Sequence, residues 1–266
     1  MSIENINQAA GAMNALTARM NGFVNNADAQ IAQRRAAYDG IAADLKGTIN
    51  THMYFTGYVR PDEPNPTLVD GGTFNTIKQC IDAAPCGAMV FVLLEKGKIH
   101  LVGDNISVYN RNIEIDDFGT GERPVIEFGL YHDENYNWVS RFFVEGTGSI
   151  RFRDVELRLP TEKGNPDAPW SASKSAVHYN TASSVTAGIN NCLVTGAEGL
   201  GFASCNGGCT AIVSAYNSQL SGNIFLVVSK GGGAAVISKI SLTLSNGALL
   251  YNSDGVVGTN VIQNEA

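Results

Sequence analysis

The sequence predicts a mainly β protein, a solenoid of short stacked strands preceded by a long N-terminal helix. Three observations carry this. From Ala88 onward, short apolar runs alternate with Gly, Asn, Asp and Ser, and no helix-length periodic stretch interrupts them. In the last third, residue types return at steps of 23 or 24: Phe202, Phe225 and Leu249; Gly208, Gly231 and Gly255; Asn206, Ser229 and Ser253. Tyr216, Leu220 and Ser221 likewise return as Ile240, Leu244 and Ser245. The first fifty residues hold no proline and space their apolar residues by three and four. A repeat of 20 to 30 residues made only of strands and turns marks a solenoid, in which equivalent positions lie one above another. A β-sandwich or jelly roll also has many short strands, but no fixed offset over consecutive units.

The helix comes first. Ile6, Ala9, Met13, Leu16, Met20, Phe23 and Ala27 form an a/d seam over three heptads. The phase then slips, and Ile31, Tyr38 and Leu45 continue at steps of seven with Ile41 between. Such a four-residue insertion is a stutter that locally unwinds a supercoil. One helix cannot bury its seam against itself and needs either a partner chain or the following domain; a partner chain is expected. The mixed seam does not fix the number of strands. Residues 1–52 are therefore read as a helical coiled-coil segment.

Residues 53–70 include YFTGYVRPDEPNPTLVD, with three prolines, and are read as a linker. A short helix over about 74–84 follows, capped by Thr73 or Asn75 and ended by Pro85 and Gly87. The body extends over 71–266. Within it, Phe202, Phe225 and Leu249 are expected to stack inside, with Gly208, Gly231 and Gly255 at one corner. A pattern of polar, apolar, any, apolar recurs from Asn112, Asp154 and Asn191, and is expected to form a polar ladder at another bend. Intervals of 42 and 37 residues there imply insertions looping out around 129–140 and 160–175.

The heptad helix, the stretch GGTFNTIKQCIDAAPCGAMVFV and the closing SNGALLYNSDGVVGTN together resemble the tailspike and tail-fibre proteins of tailed bacteriophages. The resemblance is one of architecture over nearly the whole chain. It implies a single-stranded right-handed parallel β-helix, a homotrimer, and a helical segment that trimerises or joins other tail or head proteins of the virion. It also implies a fibre or spike that attaches to host surface polysaccharide. The alternatives are a polysaccharide depolymerase, acting as glycosidase or lyase, and a connector or capsid decoration protein that binds no receptor.

Chemistry was sought along the chain. The net charge of −7 gives no footing on phosphate backbones, so no nucleic-acid partner is expected. The start, MSIENINQ, has no basic-then-apolar leader, and the run AMVFVLL is too short to span a bilayer, so no membrane insertion is expected. Synthesis and assembly in the bacterial cytoplasm, and residence in the virion, are the corresponding expectations. The five cysteines read as small buried hydrophobes. Neither a nucleophile elbow nor a phosphate loop occurs, and Gly231-Gly232-Gly233 lacks the Lys-Ser/Thr ending. The four histidines have no metal spacing, so neither metal nor cofactor is expected. Asp116 and Asp117 should point to opposite faces, whereas Asp154 and Glu156 should share one strand face in the ladder. No catalytic residue is assigned.

The most suggestive chemistry is aromatic. YHDENYNW and NPDAPWSASKSAVHY hold both tryptophans of the chain within the expected insertions. Aromatic faces stack on sugar CH faces while amides and carboxylates meet the hydroxyls. Tyr136, Trp138, Trp170, Asp133, Asp167 and His178 are the candidate glycan contacts, with packing between chains or covering of the solenoid side as the plain alternative for the tryptophans.

Overall fold

The computed structural model describes residues 2–132, 137–162, 174–179, 184–206, 208–230, 233–254 and 261–265. The chain divides into two units, 1–50 and 51–266. The first is occupied by helix α1 (Ile3–Met53), whose last turn belongs to the second unit. Its apolar seam is exposed along its length, with Phe23 at 75% and Tyr38 at 72%. Among the described residues no helix is long and apolar enough to cross a membrane.

The second unit is a parallel β-helix. It opens with β1 (Tyr54–Val59) and β2 (Gly72–Phe74), which pair in parallel, and α2 (Ile77–Ala83). A first coil runs β3 (Met89–Glu95), β4 (Ile99–Val102) and β5 (Ile106–Ser107). The second runs β6 (Asn112–Phe118), β7 (Val125–Phe128), a hairpin of β8 (Leu130–His132) and β9 (Asn137–Val139), then β10 (Phe142–Val144). The third has β11 (Ser149–Arg153), β12 (Glu156–Arg158) and β13 (Ser175–Tyr179). The fourth has β14 (Ser184–Asn190), β15 (Leu193–Thr195) and β16 (Gly201–Asn206). The fifth has β17 (Thr210–Tyr216), β18 (Gln219–Ser221) and β19 (Phe225–Lys230). The sixth has β20 (Ala234–Ile240), β21 (Thr243–Ser245) and β22 (Leu249–Asp254), and β23 (Val261–Glu265) follows.

Three strands per coil build three parallel sheets. The first is ordered β2-β1-β3-β6-β11-β14-β17-β20-β23, the second β21-β18-β15-β12-β7-β4, the third β22-β19-β16-β13-β10-β5. Inward residues alternate with outward ones in β3, where Val90, Val92 and Leu94 are buried and Met89, Phe91 and Leu93 are half-buried. Inside, Phe128, Phe142, Phe152 and Phe202 form a continuous run of edge-to-face contacts, with centroids 6.0, 5.6 and 5.8 Å apart.

Corners set the register. Asp154, Asn191, Asn217 and Ser241 each separate a strand of the first sheet from one of the second. All four hold left-handed backbone, with φ of 55°, 52°, 47° and 53°. Asp and Asn tolerate that region because their short polar side chains bond locally. Asn191 Nδ2 donates to Asp154 Oδ1, so the expected polar ladder exists.

Several sequence expectations are corrected. Tyr54–Val59 is a strand and not linker: Phe55, Gly57 and Val59 are buried on alternate positions, and the prolines begin only at Pro61. It pairs with β3 from Tyr54↔Met89 to Val59↔Leu94. At Gly57 a Cβ would overlap Cys80 Sγ and lie 2.7 Å from Phe74, so the missing side chain is what lets α2 close on β1. Helix α2 begins later than expected, with Thr76 as N-cap; Thr76 and Gln79 form a capping box.

Phe225 and Leu249 do pair, but the third member of that column is Gly201, not Phe202. The column also faces outward, with Leu249 53% exposed, whereas Phe202 is interior. In the same way Ser229 pairs with Cys205, not Asn206. Asn112 starts β6 and lies opposite Ser149, away from the Asp154–Asn191 corner. Asp154 is the corner residue and Glu156 lies in the next strand, so the two do not share a strand face. Gly231 and Gly255 lie outside the described residues; Gly208 has φ 81°.

Candidate functional site

The connection from second to third sheet is short in the late coils: residues 196–200, 222–224 and 246–248. In the second and third coils it is long, 129–141 and 159–174. Both insertions therefore leave the same corner of consecutive coils. Every candidate contact read from the sequence belongs to these insertions except His178, which lies in β13 just after the second.

The first insertion folds back as an antiparallel hairpin. Tyr131 lies opposite Trp138, between Leu130↔Val139 and His132↔Asn137. Arg141 follows at its base. Its guanidinium carbon lies 5.7 Å from the Tyr131 ring centroid, 5.3 Å from Trp138 and 4.9 Å from Phe143. Arg141 Nη2 donates to Tyr131 Oη at 2.7 Å. The side chain is only 2% exposed, and burial pulls the Arg141 pKa below its ordinary value, partly offset by Tyr131. A desolvated cation among ring faces is the arrangement in which cation–π attraction is strongest. It fixes the Trp138 ring, half-buried, on a stiff base.

Phe143 leads to the next coil, where His178 is its register partner and the rings meet edge-on at 5.8 Å. His178 Nδ1 lies 2.7 Å from Ser204 Oγ, and Ser175 Oγ is 2.6 Å from the same oxygen. Burial, and secondarily the Arg141 charge, drive the His178 pKa down to about 3. His178 is therefore neutral at ordinary pH and, at 6% exposed, cannot touch a glycan as expected; its ring packs edge-on against Phe143 instead.

Between the insertion bases is a hollow of about 310 Å³. Phe128, Gly129 and Leu130 line it from the second coil, and Leu159, Pro160 and Thr161 from the third. Arg158 stands at its rim, 2.8 Å from Glu156 and 3.7 Å from Glu127. An apolar floor and a charged rim suit a sugar ring, and the Trp138 ring stands on the hairpin that continues from Leu130.

Trp138 is thus placed at the corner as expected. Tyr136, Asp133, Asp167 and Trp170 lie outside the described residues. Arg141 was missed by sequence reasoning. The only signal for it is its position among four aromatics in YNWVSRFF. Among the described residues, no three His, Cys, Asp or Glu side chains are grouped to hold a metal ion.

No family model matches the chain, and no curated protein matches it. Among solved structures it is similar to the pectin methylesterase PemA from Erwinia chrysanthemi. That match has 10% identity and a TM-score of 0.32, and covers 79% of this chain and 92% of that one. The β-helix assignment rests on the strand pairing described above.

Proposed function

We propose that this protein is a structural component of a tailed-bacteriophage virion, a fibre or spike that attaches to host surface polysaccharide. The observation that carries this reading is the shared corner: two long insertions leave consecutive coils side by side, with Trp138 held by Arg141 and a hollow between their bases. The exposed seam of α1 supports self-association as a homotrimer and docking to other tail or head proteins. Three copies raise avidity for weak sugar sites without new contacts. Two carboxylates line the hollow, Glu127 and Glu162, and Arg158 lies 3.7 Å from the first of them.

Trp138→Ala removes the ring and leaves the coils intact. Adsorption of virions, or of the purified protein, to host cells is expected to fall about tenfold, as for loss of one stacking anchor. Undiminished adsorption by a folded variant would sink the reading.

A further inference from the structure

We propose that the outward face of the nine-stranded sheet carries a second ligand site, a groove for an anionic saccharide unit whose carboxylate is received by Arg151. The groove has a volume of about 350 Å³ and is lined by Glu114, Arg151, Arg153, Gly188, Ser214 and Tyr216. It is a different surface from the insertion corner, which joins the other two sheets.

Register explains the groove. Glu114, Arg151, Gly188 and Ser214 form one column across four coils, and Arg153, Asn190 and Tyr216 the next. At about 4.8 Å per rung, a four-residue column extends for roughly 14 Å, room for two to three sugar units. The hollow exists because position 188 has no side chain. A Cβ there would stand 2.5 Å from Ser214 Oγ and 3.4 Å from Arg151 Cγ.

The two arginines of β11 share a face but differ in commitment. Arg153 is held between carboxylates, with Nε 3.0 Å from Asp116 and Nη2 on Glu114. Arg151 makes no hydrogen bond or ion pair among the described residues. Its guanidinium presents five N–H donors in a planar fork that matches a carboxylate. In a chain of net charge −7, such an uncommitted fork beside a hollow is a receptor for an anion. Around it are groups that suit hydroxyls and a ring: Ser214, the carboxylate of Glu114, and Tyr216, whose hydroxyl lies 3.2 Å from Ser238 Oγ. A neutral sugar could use those groups and a single Arg151 N–H; only an acidic one gains a charged, two-pronged pair with Arg151. The ligand class is therefore a hexuronate-containing oligosaccharide.

The test is calorimetric titration of the full chain with a β-1,4-linked oligoglucuronate and with the neutral oligoglucose of equal length. The wild type is expected to prefer the acidic chain by about tenfold or more, and Arg151→Gln to erase that preference, as for loss of one charged bidentate contact. Gly188→Ala, which fills the hollow, should weaken both ligands. The proposal is overturned if the wild type binds neither chain or both alike, or if Arg151→Gln binds as the wild type does. Loss of uronate binding in Trp138→Ala would move the ligand to the corner and overturn the groove. Arg151 is exposed, so an unchanged unfolding midpoint will show that its variant is folded. The titration needs no host cell, so its failure leaves the attachment reading standing, and the reverse also holds.

Discussion

The side-chain amide of Asn191 donates a hydrogen bond to the carboxylate of Asp154 on the preceding coil, and both residues hold left-handed backbone at the same corner. Asn217 and Ser241 continue the column. Asn191→Ala removes the bond and leaves a Cβ in a disfavoured region. The expected cost is about 2 kcal/mol, roughly one for each effect. Asn191→Gly loses the bond but gains backbone freedom and should cost less. Urea unfolding measures both, and equal losses would contradict the backbone part of the argument.

Phe152 stands between Phe142 and Phe202 in the interior run, whereas Phe225 is half-buried on the outward face. Truncating Phe152 to Ala should cost about 3–5 kcal/mol, as other large interior aromatics do. Phe225→Ala should cost about 1 kcal/mol or less, as most changes away from the core do. A reversed order would mean that the register is shifted by one residue.

How far the sequence reveals this register depends on turn length. Tyr216↔Ile240, Leu220↔Leu244 and Ser221↔Ser245 were readable because coils five and six have equal corners, so one 24-residue step serves all three sheets. The fourth coil has five residues where the fifth has three, at 196–200 and 222–224. That difference lengthens the step to 26 between Asn190 and Tyr216, whereas Gly201 and Phe225 keep the step of 24; matching by residue type took the aromatic Phe202 instead, one residue off. Asn112 misled for a related reason. A polar residue before an alternating apolar pair marks a strand start as readily as a corner. The insertions were visible as excess length, and Trp138 within one. Arg141 was not visible, because only the meeting of hairpin, β10 and the coil beyond buries it.

Thiol reactivity separates the cysteines. Cys80, Cys192, Cys205 and Cys209 are buried and Cys86 is exposed. Burial pushes the Cys80 pKa up to about 12 and that of Cys192 to about 11. Since the thiolate is the reactive form, native protein should be labelled once by iodoacetamide, at Cys86. Denaturation should release the other four. Mass spectrometry of the native sample showing Cys80 or Cys192 modified at a comparable rate would contradict the closed core.

His178 links stability to pH. Its pKa falls from the ordinary 6.5 to about 3 on folding, so between those values the unfolded chain binds more protons than the folded one. Its contribution is complete above pH 6.5 and is lost as pH falls toward 3. Near pH 5 the loss should reach about 2 kcal/mol, at 1.36 kcal/mol per unit. His100, also lowered by burial, acts in the same direction. His178→Gln should therefore reduce the slope of stability against pH from 6.5 to 5 without abolishing it. An unchanged slope in that variant would mean that His178 protonates in the folded protein.

The proposed assembly rests on the α1 seam. Met13, Leu16, Met20 and Phe23 are each more than half exposed in the single chain, at heptad a and d spacing. Apolar area left in water contributes about 25 cal/mol per Å² when it is covered, so a helix of 51 residues has a strong drive to associate. If the homotrimer proposal holds, the full chain of 28.2 kDa will sediment at about three times that mass, the stoichiometry expected of a three-stranded coil. Leu16→Asp with Met20→Asp places two charges in the seam and should release monomers whose β signature in circular dichroism is intact, because neither residue belongs to the unit that begins at Thr51. A wild-type chain that sediments as a monomer at micromolar concentration would refute self-association through α1. A trimer that survives both aspartates would move the assembly contact off the seam and onto the β-helical unit.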